Sequence, residues 1–287
     1  DKSQIYQVVR SILEGNEVIA IVAPSFAGQF GKNVTAAKFV AAMKALGFSA
    51  VEEVAVGADI CAVEEARDYL EKVPAENRFL ATSCCPSWRM MARRLFPKES
   101  GNISMTYTPM VYTARMVKEQ HPGCKVVFVG PCAAKKLEAM QEELRNDVDF
   151  VLTYEELMGI FEAKDVDLET IEPDEELKNG TGLGRGFAAA GGVALAVEDV
   201  IRKLRPDAEV KIQRADGLRE CRKLLTLARA GKLDGYLLEG MACPGGCIAG
   251  AGTIIAPEQA AKKLKEHIAQ ADVTSCADSP FRAELEK

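Results

Sequence analysis

Short runs of β-branched and apolar residues alternate with stretches of helical periodicity along almost the whole chain, and a chain written this way folds as helices layered on a mostly parallel sheet. Residues 18–22, 50–54, 79–82, 125–129, 149–152, 209–213 and 233–238 read as strands. Residues 36–46, 63–72, 88–95, 109–119, 154–162, 193–204 and 218–230 read as the helices between them. The expected fold class is therefore α/β, in which ligands sit beyond the carboxyl ends of strands, where loops pass into helices. Residues 165–186, acidic and then carrying Asn179-Gly180-Thr181-Gly182, read for the most part as a solvated surface loop. A helical tail over 258–271 leads into a polar end that is expected to fray.

Charge and cysteine usage narrow the function classes. The chain has 287 residues, with 36 basic against 42 acidic side chains, and this excess of acid argues against a nucleic-acid partner. No apolar run is long enough to insert in a membrane, and no secretory leader is visible, so a cytoplasmic location is expected. The first residue is Asp1, not methionine, which leaves room for upstream modules. Nine cysteines, an odd number in a large chain without a leader, do not suit a disulfide framework. Cys61, Cys124, Cys221 and Cys276 lack a surrounding motif and read as buried thiols that pack as small hydrophobes.

The other five stand where a strand-like segment breaks into a Pro- or Gly-marked turn before a helix. These segments are Thr82-Ser83-Cys84-Cys85-Pro86-Ser87-Trp88, Gly130-Pro131-Cys132-Ala133-Ala134-Lys135-Lys136-Leu137-Glu138, and Glu239-Gly240-Met241-Ala242-Cys243-Pro244-Gly245-Gly246-Cys247. All three turns project from the same end of a sheet system, so they can converge. Thiolates in this number suit zinc or iron–sulfur chemistry. The prolines and glycines favour iron–sulfur loops, in which backbone N–H groups approach sulfur. Spacing alone leaves a cubane, zinc and inert thiols all open. Lys135, near a helix start where the dipole disfavours a cation, makes sense facing an anionic ligand, with Glu138 one turn on as a partner.

In order and separation, the three segments resemble the three signature motifs of FeFe-hydrogenases, and the match runs from Ala23-Pro24-Ser25 to Gly252. The resemblance implies two lobes, each a mostly parallel sheet flanked by helices, with the metal cluster in the cleft between them. A division into an N-terminal lobe (residues 1–120) and a C-terminal lobe (residues 121–287) is expected. It implies that Cys85, Cys132, Cys243 and Cys247 hold a 4Fe–4S cubane, with Cys247 bridging to a di-iron subsite carrying CO, cyanide and azadithiolate ligands, together the H-cluster. Lys135 would hydrogen-bond one cyanide and Ala23, Pro24 and Ser25 would contact the other, while Met241, Phe187 and the glycines near Gly191-Gly192 line the pocket. Cys84 would deliver protons as a general acid/base, fed by a relay of Glu65, Asp68 and Ser104. Protons and H2 are the implied substrates, a ferredoxin or upstream ferredoxin-like domain the electron partner, and dedicated maturation proteins the source of the di-iron unit.

Departures mark a divergent subgroup. Gly130 stands where the best-known members place a methionine before the proline, Met110 replaces a polar residue, and the third segment ends Gly250-Ala251-Gly252. Two other roles share the motifs. A hydrogen sensor would bind the gas and signal through a partner. A hydrogenase-like iron–sulfur assembly protein would keep the cubane thiols but usually lacks the cysteine found here at position 84.

Overall fold

The computed structural model describes residues 2–281 of the chain. In order, its elements are α1 (Ile5–Leu13), β1 (Val18–Val22), α2 (Ala36–Ala45), β2 (Ala50–Glu53), α3 (Val54–Lys72), β3 (Leu80–Ala81), α4 (Pro86–Leu95), α5 (Pro109–Gln120), β4 (Lys125–Gly130), α6 (Ala134–Ala139), β5 (Phe150–Thr153), α7 (Tyr154–Ala163), α8 (Gly182–Gly186), α9 (Gly192–Leu204), β6 (Lys211–Asp216), α10 (Leu218–Arg229), β7 (Tyr236–Met241) and α11 (Pro257–Ala269). The polar end expected to fray reaches 282–287, outside the described residues.

The strands form two parallel sheets, one ordered β2-β1-β4-β5 and the other β3-β7-β6. Period-two alternation puts helices on both faces of the first sheet. Val18, Ala20 and Val22 pack into one core, and Ile19 and Ile21 into another on the opposite face. The second sheet repeats the scheme, with Leu80 and Leu237 on one side and Phe79, Ala81 and Leu238 on the other. Each sheet draws strands from both sides of residue 120, so the expected division there is corrected. β3 belongs with β6 and β7, and β4 and β5 belong with β1 and β2.

Helix α3 joins the two halves. Its first ten residues, Val54 to Val63, are all buried, against α5 on one side and α8 and α9 on the other. A helix buried on every face shows little amphipathic period, which is why the sequence placed its start at 63 instead of 54. The α3–α5 crossing is close because Gly57 has no side chain: a Cβ there would lie 2.2 Å from the carbonyl oxygen of Pro109.

The loop expected over 165–186 is exposed for most of its length but not at its end. Thr181 accepts from the Gly184 N–H and starts α8. Arg185, 1% exposed, donates to both carboxylate oxygens of Glu53 at 2.9 and 2.8 Å, and to the carbonyls of His267 and Leu177. A buried guanidinium with this many acceptors ties the segment to the start of α3 and to α11.

Candidate metal centre

The carboxyl ends of β1, β3, β4 and β7 point at one another across the seam between the sheets, and each is followed by a turn. Together these turns wall a cavity with about 820 Å³ of empty space including its open mouth. Cys84 and Cys85 enter from β3, Cys132 from β4, Cys243 and Cys247 from β7, and Ala23, Pro24 and Ser25 from β1. Lys135, Phe187, Met241 and Met110 complete much of the wall.

Local chemistry explains how the turns are held. Trp88 donates its indole N–H to the Thr82 carbonyl at 2.9 Å and lies flat against Gly240, where a Cβ would meet the ring at 2.3 Å. Asp216, at the end of β6, accepts from the Gly245 N–H, fixing the turn between Cys243 and Cys247. Gly245 and Gly246 both have positive φ, and a Cβ on Gly246 would strike the backbone of Ala189 and Ala190. The Ala242 N–H points at Cys85 Sγ, 3.5 Å away.

Cys85, Cys132, Cys243 and Cys247 are free and share the cavity. Burial raises the pKa of Cys132, Cys243 and Cys247, and the neighbouring thiols of the set raise it further. Such a set stays protonated unless a cation binds it, and soft sulfur donors select iron–sulfur clusters or zinc. Among the described residues no three His, Cys, Asp or Glu groups come close enough to share one metal ion. Four soft sulfur donors lining one cavity fit an iron–sulfur cluster by the chemistry of the donor set.

Lys135 is the cation on this wall. Its Nζ donates to Glu138 Oε2 at 2.6 Å and to the Cys84 carbonyl at 3.4 Å. Burial pulls its pKa down, but the charge and hydrogen bond of Glu138 outweigh this and the net shift is upward. Glu138 itself lies behind Lys135 and does not line the cavity. On the other wall Ser25 Oγ is 2.7 Å from the Tyr154 hydroxyl, which donates to the Ala23 carbonyl. Tyr154 was not anticipated, although it follows β5 directly and so stands at a strand end, where the α/β rule looks for site residues.

Cys84 lies beside the set, and burial followed by the charge of Glu65 pushes its thiol pKa well up. Glu65 on α3 is wholly buried, and its Oε1 accepts from the Ser83 N–H at 3.0 Å. Burial, eased by Ser83 and by nearby Ser104, brings its carboxyl to about 7. Among the described residues its other oxygen has no partner of good geometry. Of the expected relay, Glu65 and Ser104 come together behind Cys84. Asp68 is partly exposed and paired with Lys72 at 2.6 Å. Gly191 and Gly192 lie off the cavity wall, where the Gly191 N–H helps Ala194 bind the buried carboxylate of Glu239.

Gly130 also finds an account. A Cβ there would lie 2.5 Å from the Phe128 ring, and that ring lines the cavity in its place.

Residues 16–251 match the family model of the iron only hydrogenase large subunit, C-terminal domain. The chain belongs to that family. The periplasmic Fe hydrogenase large subunit of Nitratidesulfovibrio vulgaris is 26% identical over 309 residues, covering 89% of this chain and 73% of its own length. Iron hydrogenase 1 of Clostridium pasteurianum is 27% identical over 285 residues, but the chain spans only 50% of that protein. A solved FeFe-hydrogenase, described for stepwise H-cluster assembly, superposes with a TM-score of 0.82 at 21% identity, covering 99% of this chain and 94% of that one. This hydrogenase-family fold is the α/β architecture expected from the sequence. The relatives also include cytosolic iron-sulfur assembly component 3 of Pongo abelii, 25% identical over 336 residues, 92% of this chain and 70% of that one. Iron–sulfur binding is thus a property of the family. Among the described residues no helix is long and apolar enough to cross a membrane.

Proposed function

We propose that the chain is the catalytic domain of an iron-only hydrogenase, interconverting two protons and two electrons with H2. Cys85, Cys132, Cys243 and Cys247 would hold a 4Fe–4S cubane, and Cys247 would also bridge to the di-iron subsite with its CO, cyanide and azadithiolate ligands. When bound, the H-cluster supplies the metal position and the basic amine at which the H–H bond is made or broken. The chain supplies the rest. Lys135 on one wall offers a donor to anionic ligands, Ser25 lines the other wall with its hydroxyl held by Tyr154, and Phe187, Met241 and Met110 keep water out. Electrons would come from a ferredoxin or ferredoxin-like domain, and maturation proteins would install the di-iron unit in a cytoplasmic setting.

The observation that carries this reading is Cys84. It stands in the cavity wall beside the set of four thiols, with the buried carboxyl of Glu65 behind it near neutrality. A thiol there holds a proton at Sγ, and a carboxyl poised near the working pH replaces it. Ser104, beside Glu65, would extend the route.

The test is anaerobic H2 evolution with reduced viologen after rebuilding the cubane and inserting a di-iron precursor. Robust evolution that falls by about 10²-fold or more in Cys84→Ala is expected. A silent protein with its di-iron unit verified would sink catalysis and leave the sensor. The assembly relatives give the third reading weight, and a chain that takes the cubane but refuses the di-iron unit would select it.

A further inference from the structure

Cys221 reads as one more inert thiol, buried on α10 in the core beneath Trp88. Its contacts are specific, however. The thiol donates toward the Met241 carbonyl at 3.3 Å, with the Ala215 carbonyl a second acceptor at 3.4 Å. The Gly217 N–H donates to the same Met241 oxygen at 2.8 Å. That carbonyl and the Ala242 N–H are the two ends of one peptide group, and the N–H end faces Cys85 Sγ at 3.5 Å. Cys221, the 241–242 peptide and Cys85 therefore form a single line of donors.

We infer that Cys221 is a positioning residue that tunes the reduction potential of the cubane through the Met241–Ala242 peptide. The inference rests on the proposal that Cys85 is a cubane ligand. An amide whose oxygen accepts hydrogen bonds is polarised and becomes a stronger N–H donor. Donation to a cluster thiolate favours the reduced, more negative cluster and raises its potential. A fully buried thiol keeps its proton and so remains a donor. Gly217 and Cys221 both donate to the carbonyl, so loss of the thiol weakens the polarisation without removing it.

The experiment uses the full chain carrying only the cubane, titrated anaerobically and followed by electron paramagnetic resonance. Cys221→Ala should shift the balance toward the oxidised cluster by about threefold, a fall in midpoint of about 28 mV from the 59 mV per tenfold of a one-electron couple. Cys221→Ser keeps an O–H donor and should hold the wild-type midpoint. Should alanine leave too large a hole under Trp88, Cys221→Val fills the space without a donor and should show the same fall. An unchanged midpoint in both non-donating variants, or an equal fall in the serine variant, overturns the inference, because packing and not donation would then be at work. A wild-type chain that takes up no cubane overturns the cluster reading itself, a result visible before any variant is made.

Discussion

Glu65 accepts a hydrogen bond from the backbone N–H of Ser83 at 3.0 Å, so a carboxyl without surrounding water holds the residue that precedes Cys84. The burial of this carboxyl, which the Ser83 contact only partly offsets, makes folding depend on pH. Burial, first among the causes, raises the folded carboxyl to about 7, whereas an unfolded glutamate titrates near ~4.3. Between those values the folded chain keeps a proton that the unfolded chain has lost. Stability should therefore decline as pH rises from about 4 to 7 and stay at its lower level above. Glu65→Gln cannot titrate, so it should flatten that slope in urea unfolding followed from pH 5 to 8. Parallel curves for the two proteins would mean that the carboxyl does not feel its burial.

Lys135 and Glu138 form a pair in which the carboxylate is 2% exposed. Lys135→Met should destabilise the chain by roughly 3–5 kcal/mol, because it leaves a buried charge without its partner. Lys135→Met combined with Glu138→Gln should recover most of that loss. Denaturant midpoints of the two proteins without cofactor measure this. If the double variant regains the fold but cannot retain a di-iron precursor, Lys135 acts on the ligand as well as on Glu138.

Arg185 and Glu53 make a further deeply buried ion pair, at 1% and 3% exposure, with His267 beside them. Arg185→Met should cost roughly 3–5 kcal/mol for the same reason. Burial and the Arg185 charge lower His267 to about 3, below the ~6.5 of an unfolded histidine. The unfolded chain therefore binds the extra proton between those values, and stability should fall as pH drops through that window. His267→Gln should remove this acid sensitivity, as read from thermal midpoints between pH 4 and 7.

Much of the fold was legible because the strands are short, apolar and bounded by turn residues. Val18–Val22 is a strand over its full expected length, and the three cysteine turns stand at strand ends as anticipated. What was hidden depended on partners distant in the chain. Tyr154 matters because it meets Ser25 and Ala23, and Arg185 because Glu53 and His267 receive it. The division at 120 failed because β3 pairs with β7 and not with the strands nearest it in sequence. Asp68 shares a turn with Glu65 but not its burial, since the helix turns it toward Lys72 and solvent. The glycine at 130 looked like a loss of side chain, whereas Phe128, two residues earlier on the same strand, fills the space.

The cavity lies on a seam, and its thiols come from turns at 85, 132 and 243–247 that belong to different sheets. With the proposed ligand set, no contiguous stretch of chain would hold the cluster alone, so the metal-binding state would appear only after both halves have docked. A cluster placed there acts as a rivet. Prying the halves apart must break iron–sulfur bonds, and by mass action a loaded chain resists opening more than an empty one. Chelation and oxidative loss of iron would then also be routes to unfolding, and the lifetime of the fold would be tied to the availability of iron.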